Sequence, residues 1–211
     1  MKPYPEKIGI AGMHGKSSTV GMCDSIFCTG GNPATTLSGA VLGGDEKQGS
    51  FRKGSPETLL FEACEYKKSF LHFSPTIAVA LNAEWEHTDC YASLSEVYDA
   101  FSVYLQKESV KLAVVPKELL RLCGRKKLLT FGEGMDVSAE DVTMKEGKPR
   151  FYLRVFGRTV GEVRLQTVGE YQVQNALAAA AVGTALEISE EKILSGLSAF
   201  KGAKRRFEKI G

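Results

Sequence analysis

Several features that mark specialised protein classes are scarce or missing. The chain of 211 residues has five cysteines, an odd number without a CxxC pair, which fits neither a disulfide framework nor a zinc ribbon. Its 27 basic and 25 acidic residues nearly balance, so the chain has no broad positive electrostatic field that would attract nucleic acid or an anionic membrane. We therefore expect small, buried cysteines in a reducing cytoplasm, and neither nucleic acid nor membrane as a partner.

Long apolar runs are also missing. The most apolar stretch, 176–188, is interrupted by Gly183 and Thr184 and falls short of the ~18 residues that a membrane span needs. No long apolar core follows the charged N-terminus, so we expect no signal peptide. With 43% hydrophobic and 25% charged residues, the composition is typical of a globular protein. The length allows one large domain, or one domain with a small appendage.

Short apolar runs alternate with segments whose apolar residues recur at helical spacing. The runs that predict strands are 8–11, 58–61, 76–81, 111–116 and 127–131. The segments that predict helices follow residue 15 and cover 67–73, 94–105 and 117–122. Such alternation predicts an α/β fold, a mostly parallel P-loop type sheet flanked by helices.

The pattern changes after residue 137. Short alternating segments, with turn signals at 147–149 and 156–158, predict a small antiparallel β subsheet. Two helices are predicted to follow, at 171–186 and 189–197, the second with Ser189 as its cap.

A glycine turn separates the first predicted strand from the first predicted helix. Residues 12–18 read GMHGKSS, and such a loop can hold phosphate through backbone N–H groups, a helix N-terminus and a lysine. The strict GxxxxGK[ST] pattern fails because residue 10 is isoleucine, which leaves a shorter GxxGKS. A glycine turn that merely precedes a helix is the alternative interpretation.

Polar groups follow two further predicted strands. Glu62 comes directly after the strand 58–61, and His87 lies shortly after the strand 76–81. Because the carboxyl ends of parallel strands meet at one edge, we expect the loop, the acid and the histidine to face one crevice. Glu62 could hold Mg²⁺ against phosphates there. A solvated acid and a structural histidine are the alternatives.

Five segments in chain order carry a resemblance to one family. They are GMHGKSS (12–18), FEACEYKKSFLHFSP (61–75), LNAEWEHTDCY (81–91), VGEYQVQNALAA (168–179) and FKGAKRRFE (200–208). In order and spacing they resemble the Mur ligases, and within that family the branch that joins UDP-N-acetylmuramate to L-alanine. The resemblance covers nearly the whole chain and implies an ATP- and Mg²⁺-dependent ligase of peptidoglycan precursor synthesis.

The resemblance also implies roles for individual residues. Lys16 would be the phosphate lysine, Ser17, Glu62 and His87 would hold Mg²⁺, and Lys16, Glu62 and His87 would carry the catalysis. Gln172 and Asn175 would stand at the positions that recognise adenine, and Arg206 would reach toward the phosphates. The full nucleotide-binding set that it implies is Gly12, Met13, His14, Gly15, Lys16, Ser17, Ser18, Gln172, Asn175 and Arg206.

The sequence departs from the family pattern at a few positions. Cys64 replaces the middle acid of the EADES-like motif, Glu86 replaces the aspartate before the histidine, and Gln172 replaces an asparagine. Many Mur ligases place a carbamylated lysine on the next helix, whereas the sequence around Asp99 has none, which disfavours the branches that use it. We interpret His72 as structural.

Length is the larger departure. Mur ligases have three domains, whereas this sequence starts just before the loop and stops just after Arg206. The resemblance therefore predicts the central ATPase domain over 1–200 and a hinge toward a missing C-terminal domain over 201–211. UDP-N-acetylmuramate and L-alanine would bind through missing flanking domains. Two other functions stay open, a related murein-peptide ligase and a non-catalytic nucleotide-binding module that works with a partner chain.

Overall fold

A ten-stranded β-sheet runs through the computed structural model, which describes residues 4–40 and 50–202. Its strands are β1 Glu6–Ala11, β2 Ala34–Leu37, β3 Phe51–Arg52, β4 Ser55–Glu62, β5 Ile77–Ala80, β6 Leu112–Pro116, β7 Lys127–Phe131, β8 Val137–Lys145, β9 Lys148–Val155 and β10 Arg158–Arg164. The helices are α1 Lys16–Thr29, α2 Leu94–Leu105, α3 Gln172–Ala185 and α4 Glu190–Ala199, with 3₁₀ helices at Tyr66–His72 and Lys117–Leu122.

The strand order is β10-β9-β8-β7-β6-β5-β1-β4-β2-β3. Pairing is parallel from β8 through β2, and antiparallel for β8–β9, β9–β10 and β2–β3. This arrangement confirms the predicted α/β fold with a mostly parallel sheet and a small antiparallel part.

The central strand, β1, lies between β4 and β5. Ile10 is in register with Glu62 of β4 on one side and with Val79 of β5 on the other. The three strands therefore end at the same edge of the sheet, as the sequence predicted, and the glycine loop leaves the sheet beside the segments that follow β4 and β5.

The antiparallel part continues the main sheet. Its first strand, β8, joins β7 through the parallel pair Phe131 and Val137. Both hairpin turns place two consecutive residues at positive φ, Glu146 (53°) with Gly147 (73°) and Phe156 (49°) with Gly157 (77°). Turns with positive φ at both central residues match the twist of the strands that they connect, which explains the turn signals in the sequence.

Two short strands, β2 and β3, were not predicted from the sequence. Thr35 and Thr36 of β2 are buried although they are polar. The Thr36 hydroxyl donates to Asp24 of α1 at 2.7 Å, and the Thr35 hydroxyl donates to the carbonyl of Ser55 at 3.1 Å. The partners of both threonines lie 12 and 20 residues away in the chain. The burial of this strand therefore depends on contacts that a local pattern of apolar residues does not predict.

Helices cover both faces of the sheet. One apolar core contains Ile8 and Ile10 of β1 together with residues of α1, α3 and α4, and the other contains Ala11 with residues of α2 and both 3₁₀ helices. Among the described helices, none combines the length and hydropathy that a transmembrane span requires.

The cysteines only partly follow the expectation that each is a small buried side chain. Cys23 and Cys123 are buried, whereas Cys28 and Cys64 are exposed and Cys90 is intermediate. Cys28 lies in the last turn of α1 and Cys64 in the loop after β4, where the chain leaves the packed layers.

Candidate functional site

A crevice of about 1510 Å³ opens at the edge of the sheet where β1 and β5 end. The glycine loop, the segment after β5 and the start of α3 form much of its wall. These parts contribute Met13, His14, Gly15, Lys16, Ser17 and Ser18 from the loop, Asn82, Ala83 and Glu84 after β5, and Tyr171, Gln174 and Asn175 from α3. The structure thus brings the predicted phosphate loop and the predicted adenine-recognising segment to one cavity.

The glycine loop has a backbone that requires glycine. Gly12 has φ 151° and Gly15 has φ 86°, values that other residues rarely adopt. A Cβ at Gly15 would also collide with Oδ1 of Asn175, so the loop and α3 approach too closely for a side chain. Gly15 precedes α1, and neither a side-chain cap nor an acidic first-turn residue satisfies the start of that helix. Its first N–H groups are therefore available to an anion.

The Lys16 side chain folds back over its own loop. Its ammonium donates to the carbonyl oxygens of Gly12 at 2.6 Å and Met13 at 3.2 Å, and to Oε1 of Glu65 at 3.1 Å. Only 15% of the side chain is exposed. The charge of Lys16 is thus held at the wall of the crevice by two carbonyls and one carboxylate.

Glu65 is a buried carboxylate that the sequence analysis did not single out. Its side chain is 1% exposed, and its two oxygens lie 3.1 Å and 3.0 Å from the ammonium of Lys16. Its Oε1 also lies 3.2 Å from Nε2 of His87. Glu65 therefore links two of the predicted site residues. It belongs to the 61–75 segment, but its burial depends on partners 49 and 22 residues away in the chain, which no local pattern reveals.

Tyr91 fixes the backbone at Glu65. The phenol of this fully buried tyrosine donates to the carbonyl oxygen of Glu65 at 2.6 Å. Burial, reinforced by the negative charge of Glu65, raises the pKa of Tyr91 to about 12. The phenol therefore remains a hydrogen-bond donor throughout the neutral pH range.

Glu62, the predicted magnesium ligand, lies in a different set of contacts. Its Oε1 accepts hydrogen bonds from the hydroxyl of Ser38 and from the backbone N–H of Gly39, both at 2.7 Å. Among the described residues, no hydrogen bond or ion pair joins Glu62 to Lys16 or His87. The segment after β2 thus orients this carboxylate.

A reciprocal pair of hydrogen bonds ties the glycine loop to the segment after β5. The N–H of His14 donates to Oδ1 of Asn82 at 3.0 Å, and the Asn82 amide donates to the carbonyl of His14 at 3.1 Å. The His14 ring lies 2.8 Å from Glu86, and ligand atoms of His14, Glu84 and Glu86 all lie within 4.8 Å of one another. The segment after β5 therefore places two carboxylates close to the His14 ring.

The start of α3 presents a different face from the one expected. Gln172 is buried, and its Oε1 accepts a hydrogen bond from the Asn175 amide at 3.0 Å. Asn175 lines the crevice together with Gln174 and the exposed Tyr171. Positions 171, 174 and 175 share one helical face, a spacing that could have identified Tyr171 and Gln174.

The remaining predicted residues are at the start of α1 and near the end of the chain. Ser17 and Ser18 lie in the first turn of α1 and line the crevice. Arg206 lies outside the described residues, as does most of the predicted hinge 201–211.

The groups present fit a phosphate and a hard cation. The uncapped start of α1, the two glycines at positive φ and the Lys16 ammonium are all suited to an anion. The hydroxyl of Ser17 and the carboxylate of Glu62 are oxygen ligands of the kind that Mg²⁺ prefers. These donor types suit the predicted chemistry, but neither Glu62 nor His87 is among the residues that line the crevice, where both were expected.

A mainly parallel sheet with a glycine loop and a crevice at its strand ends defines an α/β protein of the class that binds ligands at this edge. Comparison with known proteins gives the family. The Mur ligase middle domain matches residues 10–183, and the chain belongs to the Mur ligase family.

Individual relatives agree with the resemblance seen in the sequence. The UDP-N-acetylmuramate–L-alanine ligase of Chlorobium chlorochromatii (strain CaD3) is 34% identical over 215 residues, which cover 97% of this chain and 45% of that protein. The structure of the UDP-N-acetylmuramate-alanine ligase MurC from Thermotoga maritima has a TM-score of 0.81 at 25% identity, covering 96% of this chain and 46% of that one.

A third similar protein is a peptide ligase. The structure of the UDP-N-acetylmuramate:L-alanyl-gamma-D-glutamyl-meso-diaminopimelate ligase from Neisseria meningitides has a TM-score of 0.78 at 25% identity, covering 94% of this chain and 67% of that one. The chain spans about half the length of the curated relatives that it matches.

Proposed function

We propose that this chain is the central ATP-binding domain of a ligase that joins UDP-N-acetylmuramate to L-alanine in peptidoglycan precursor synthesis. The observation that carries the proposal is the glycine loop that leads into the uncapped start of α1, with Lys16 at the crevice wall. The 34% identity to a ligase of that name supports the choice of substrates. The proposed domain covers 1–200, and 201–211 is the proposed hinge toward the rest of the ligase.

In the proposed reaction, the sugar carboxylate would attack the γ-phosphorus of ATP with ADP as the leaving group, and the amine of L-alanine would then displace phosphate from the resulting acyl phosphate. Mg²⁺ would supply charge neutralisation on the phosphates. The loop N–H groups and Lys16 would neutralise the negative charge that gathers on the phosphoryl oxygens during transfer. For this, Lys16 exchanges its bonds to the carbonyls of Gly12 and Met13 for bonds to phosphate. Its ion pair with Glu65 can persist, because an ammonium has three donors.

The proposed Mg²⁺ ligands are Ser17, Glu62 and His87. Ser17 follows the phosphate lysine directly, so its hydroxyl lies in the first turn of α1 beside the phosphates. Ser38 and Gly39 hold Glu62 by one oxygen, Oε1, and the other oxygen would be the cation ligand. Glu62, His87 and Lys16 form the proposed catalytic centre.

Adenine would lie at the start of α3. Gln172 and Asn175 are equally buried, but only Asn175 lines the crevice and would contact the base directly. Gln172 accepts a hydrogen bond from the Asn175 amide and would fix its orientation. The proposed role of Gln172 is therefore indirect. Arg206 completes the proposed nucleotide-binding set at the hinge.

Calorimetric titration of Mg·ATP into the wild type and into Lys16→Ala tests the proposal. A hydrogen bond to a charged group contributes about 1.5–3 kcal/mol, so the loss of Lys16 should weaken binding about 10- to 150-fold. Lys192→Ala is the matched control, because this exposed lysine donates to a backbone carbonyl, that of Gly30, at the opposite end of α1. It should bind Mg·ATP like the wild type.

Glu62→Ala separates the metal from the phosphate. The wild type should bind ATP more tightly with Mg²⁺ than with EDTA, and Glu62→Ala should lose most of this difference. Glu57→Ala, a substitution at an exposed position on the same strand, should keep the difference. Absence of Mg·ATP binding in folded wild-type protein, or equal affinities for Lys16→Ala and Lys192→Ala, would contradict the proposal.

A second acceptor is favoured by one observation. The peptide ligase from Neisseria meningitides has the same identity to this chain as the MurC structure and a comparable TM-score. The intact ligase would add L-alanine in the first case and a preformed peptide in the second. Product analysis with both acceptors in competition distinguishes them.

A further inference from the structure

Glu65 occupies an unusual position for a carboxylate. It is 1% exposed, and a buried carboxylate is costly unless charged or hydrogen-bonding partners compensate it. Lys16 and His87 are its partners, at 3.0–3.1 Å and 3.2 Å. They come from two segments that the sheet brings to one edge, the loop after β1 and the segment after β5.

The backbone at Glu65 is held in place by hydrogen bonds. The carbonyl oxygen of Glu65 accepts hydrogen bonds from the buried Tyr91 phenol at 2.6 Å and from the N–H of Lys68 at 2.9 Å. The ring of Tyr66 packs edge-on against His87, with 5.2 Å between ring centroids. The backbone that carries the carboxylate and the ring of His87 are thus both packed in place.

This geometry fixes the proton on the imidazole. An ionised carboxylate only accepts hydrogen bonds, so the ring nitrogen that faces it must be the donor. In His87 that nitrogen is Nε2. In the neutral ring, Nδ1 then carries the lone pair and is the nitrogen that can bind a cation.

We propose that Glu65 is a positioning residue, which holds His87 as its Nε2–H tautomer with Nδ1 available to the cation and at the same time anchors Lys16. Metal-binding histidines commonly donate their second N–H to a carboxylate in this way, which fixes the tautomer and the ring orientation. The cation-binding part of the inference rests on the proposed function, whereas the tautomer does not.

Two-bond ¹H–¹⁵N correlation spectra of the metal-free, nucleotide-free protein test the tautomer. The chain has three histidines, and His87→Gln assigns the signals of His87. At a pH well above the ordinary pKa of histidine, the wild type should show Nε2 protonated and Nδ1 bare. Glu65→Leu should give a mixture of both tautomers. Glu57→Gln, which removes the charge of an exposed carboxylate on β4, should leave the wild-type pattern.

Binding of Mn²⁺·ATP, followed by the electron paramagnetic resonance of free Mn²⁺, tests the coupling to the site. Loss of an outer-shell partner commonly costs 10- to 100-fold in metal affinity, so we expect about that loss in Glu65→Leu and none in Glu57→Gln.

Three results would overturn the inference. They are a wild-type His87 protonated at Nδ1, an unchanged tautomer in folded Glu65→Leu, and an unchanged Mn²⁺·ATP affinity in that variant. The wild-type spectrum alone is decisive if Glu65→Leu does not fold. If the tautomer is as expected but Lys16→Ala binds Mg·ATP normally, the proposed function fails and the role of Glu65 at His87 stands.

Discussion

At the scale of the residue, the candidate site combines charges that are withdrawn from water. Lys16 is 15% exposed and Glu65 1%, and each compensates the burial of the other. Removal of one partner from such a pair leaves an unpaired buried charge, which costs about 3–5 kcal/mol. The lysine that we propose to contact phosphate is thus placed by a residue that is not among those lining the crevice.

Tyr91 gives a prediction about pH. Its pKa is raised to about 12 in the folded protein, against an ordinary value of 10.0, because burial disfavours the phenolate. The stability that this shift provides is therefore fully present below about pH 10 and is lost as the pH rises through about 12. In a spectrophotometric titration, Tyr91→Phe should remove one late-ionising tyrosine, whereas Tyr152→Phe, at an exposed position, should leave that late step in place.

The same substitution has an effect at neutral pH. Tyr91→Phe removes the hydrogen bond to the Glu65 carbonyl and should lower the free energy of unfolding by about 1 kcal/mol. A Tyr91→Phe protein with unchanged stability and an unchanged late ionisation would show that this phenol is not buried as described.

At the scale of the element, α1 carries the candidate site at one end and packs against α3 and α4 along its length. The contact with α4 depends on Gly196. A Cβ there would lie 2.5 Å from Cα and 2.9 Å from the backbone nitrogen of Ile26, atoms that cannot turn aside as a side chain can. The hydroxyl of Ser25 donates to the carbonyl of Gly196 at 2.7 Å and holds the helices together at this point.

Gly196→Ala should therefore be destabilising, although alanine favours helices. Overpacking of a tight contact costs about 1–3 kcal/mol of stability. The higher helix propensity of alanine returns only about 1 kcal/mol, so the net effect should be a loss of stability. Urea unfolding should show a lower midpoint for Gly196→Ala. Ser195→Ala, at the exposed neighbouring position, should stay within about 0.5 kcal/mol of the wild type. A midpoint at or above that of the wild type would mean that α1 and α4 are not so close.

At the scale of the whole molecule, one sheet organises both the core and the crevice. The chain covers 45% of the length of a curated relative, and we propose that the sugar and the amino acid are positioned by other parts of the ligase. Positioning of reactants can contribute about 7–11 kcal/mol to lowering a barrier.

We therefore expect no amide product when this chain alone is given ATP, UDP-N-acetylmuramate and L-alanine, as measured by mass spectrometry of the sugar nucleotide. Measurable amide formation would contradict this expectation. Addition of separately produced N- and C-terminal parts of a related ligase should restore turnover. Assembly of the three parts without turnover would favour a nucleotide-binding module that is not a ligase.

Much of this architecture follows from local sequence. The apolar runs of β1, β4, β5, β6 and β7 and the intervening helical segments predicted a parallel sheet, and the register of β1 with β4 and β5 confirms the shared edge. The strand β2 was missed because its buried threonines are satisfied by distant partners. Glu65 was missed for the same reason, since a carboxylate is buried only when the fold brings cations to it.

The most direct test of the account is residue-resolved mapping of Mg·ATP by ¹H–¹⁵N amide spectra of the chain. Binding in the crevice should shift the amides of residues 13–18, 82–84, 171, 174 and 175, which line its walls. The amides of the antiparallel hairpins β8–β10 should be unaffected. Saturating Mg·ATP that shifts none of these amides, or shifts confined to β8–β10, would contradict the central claim that the crevice at the strand ends binds the nucleotide.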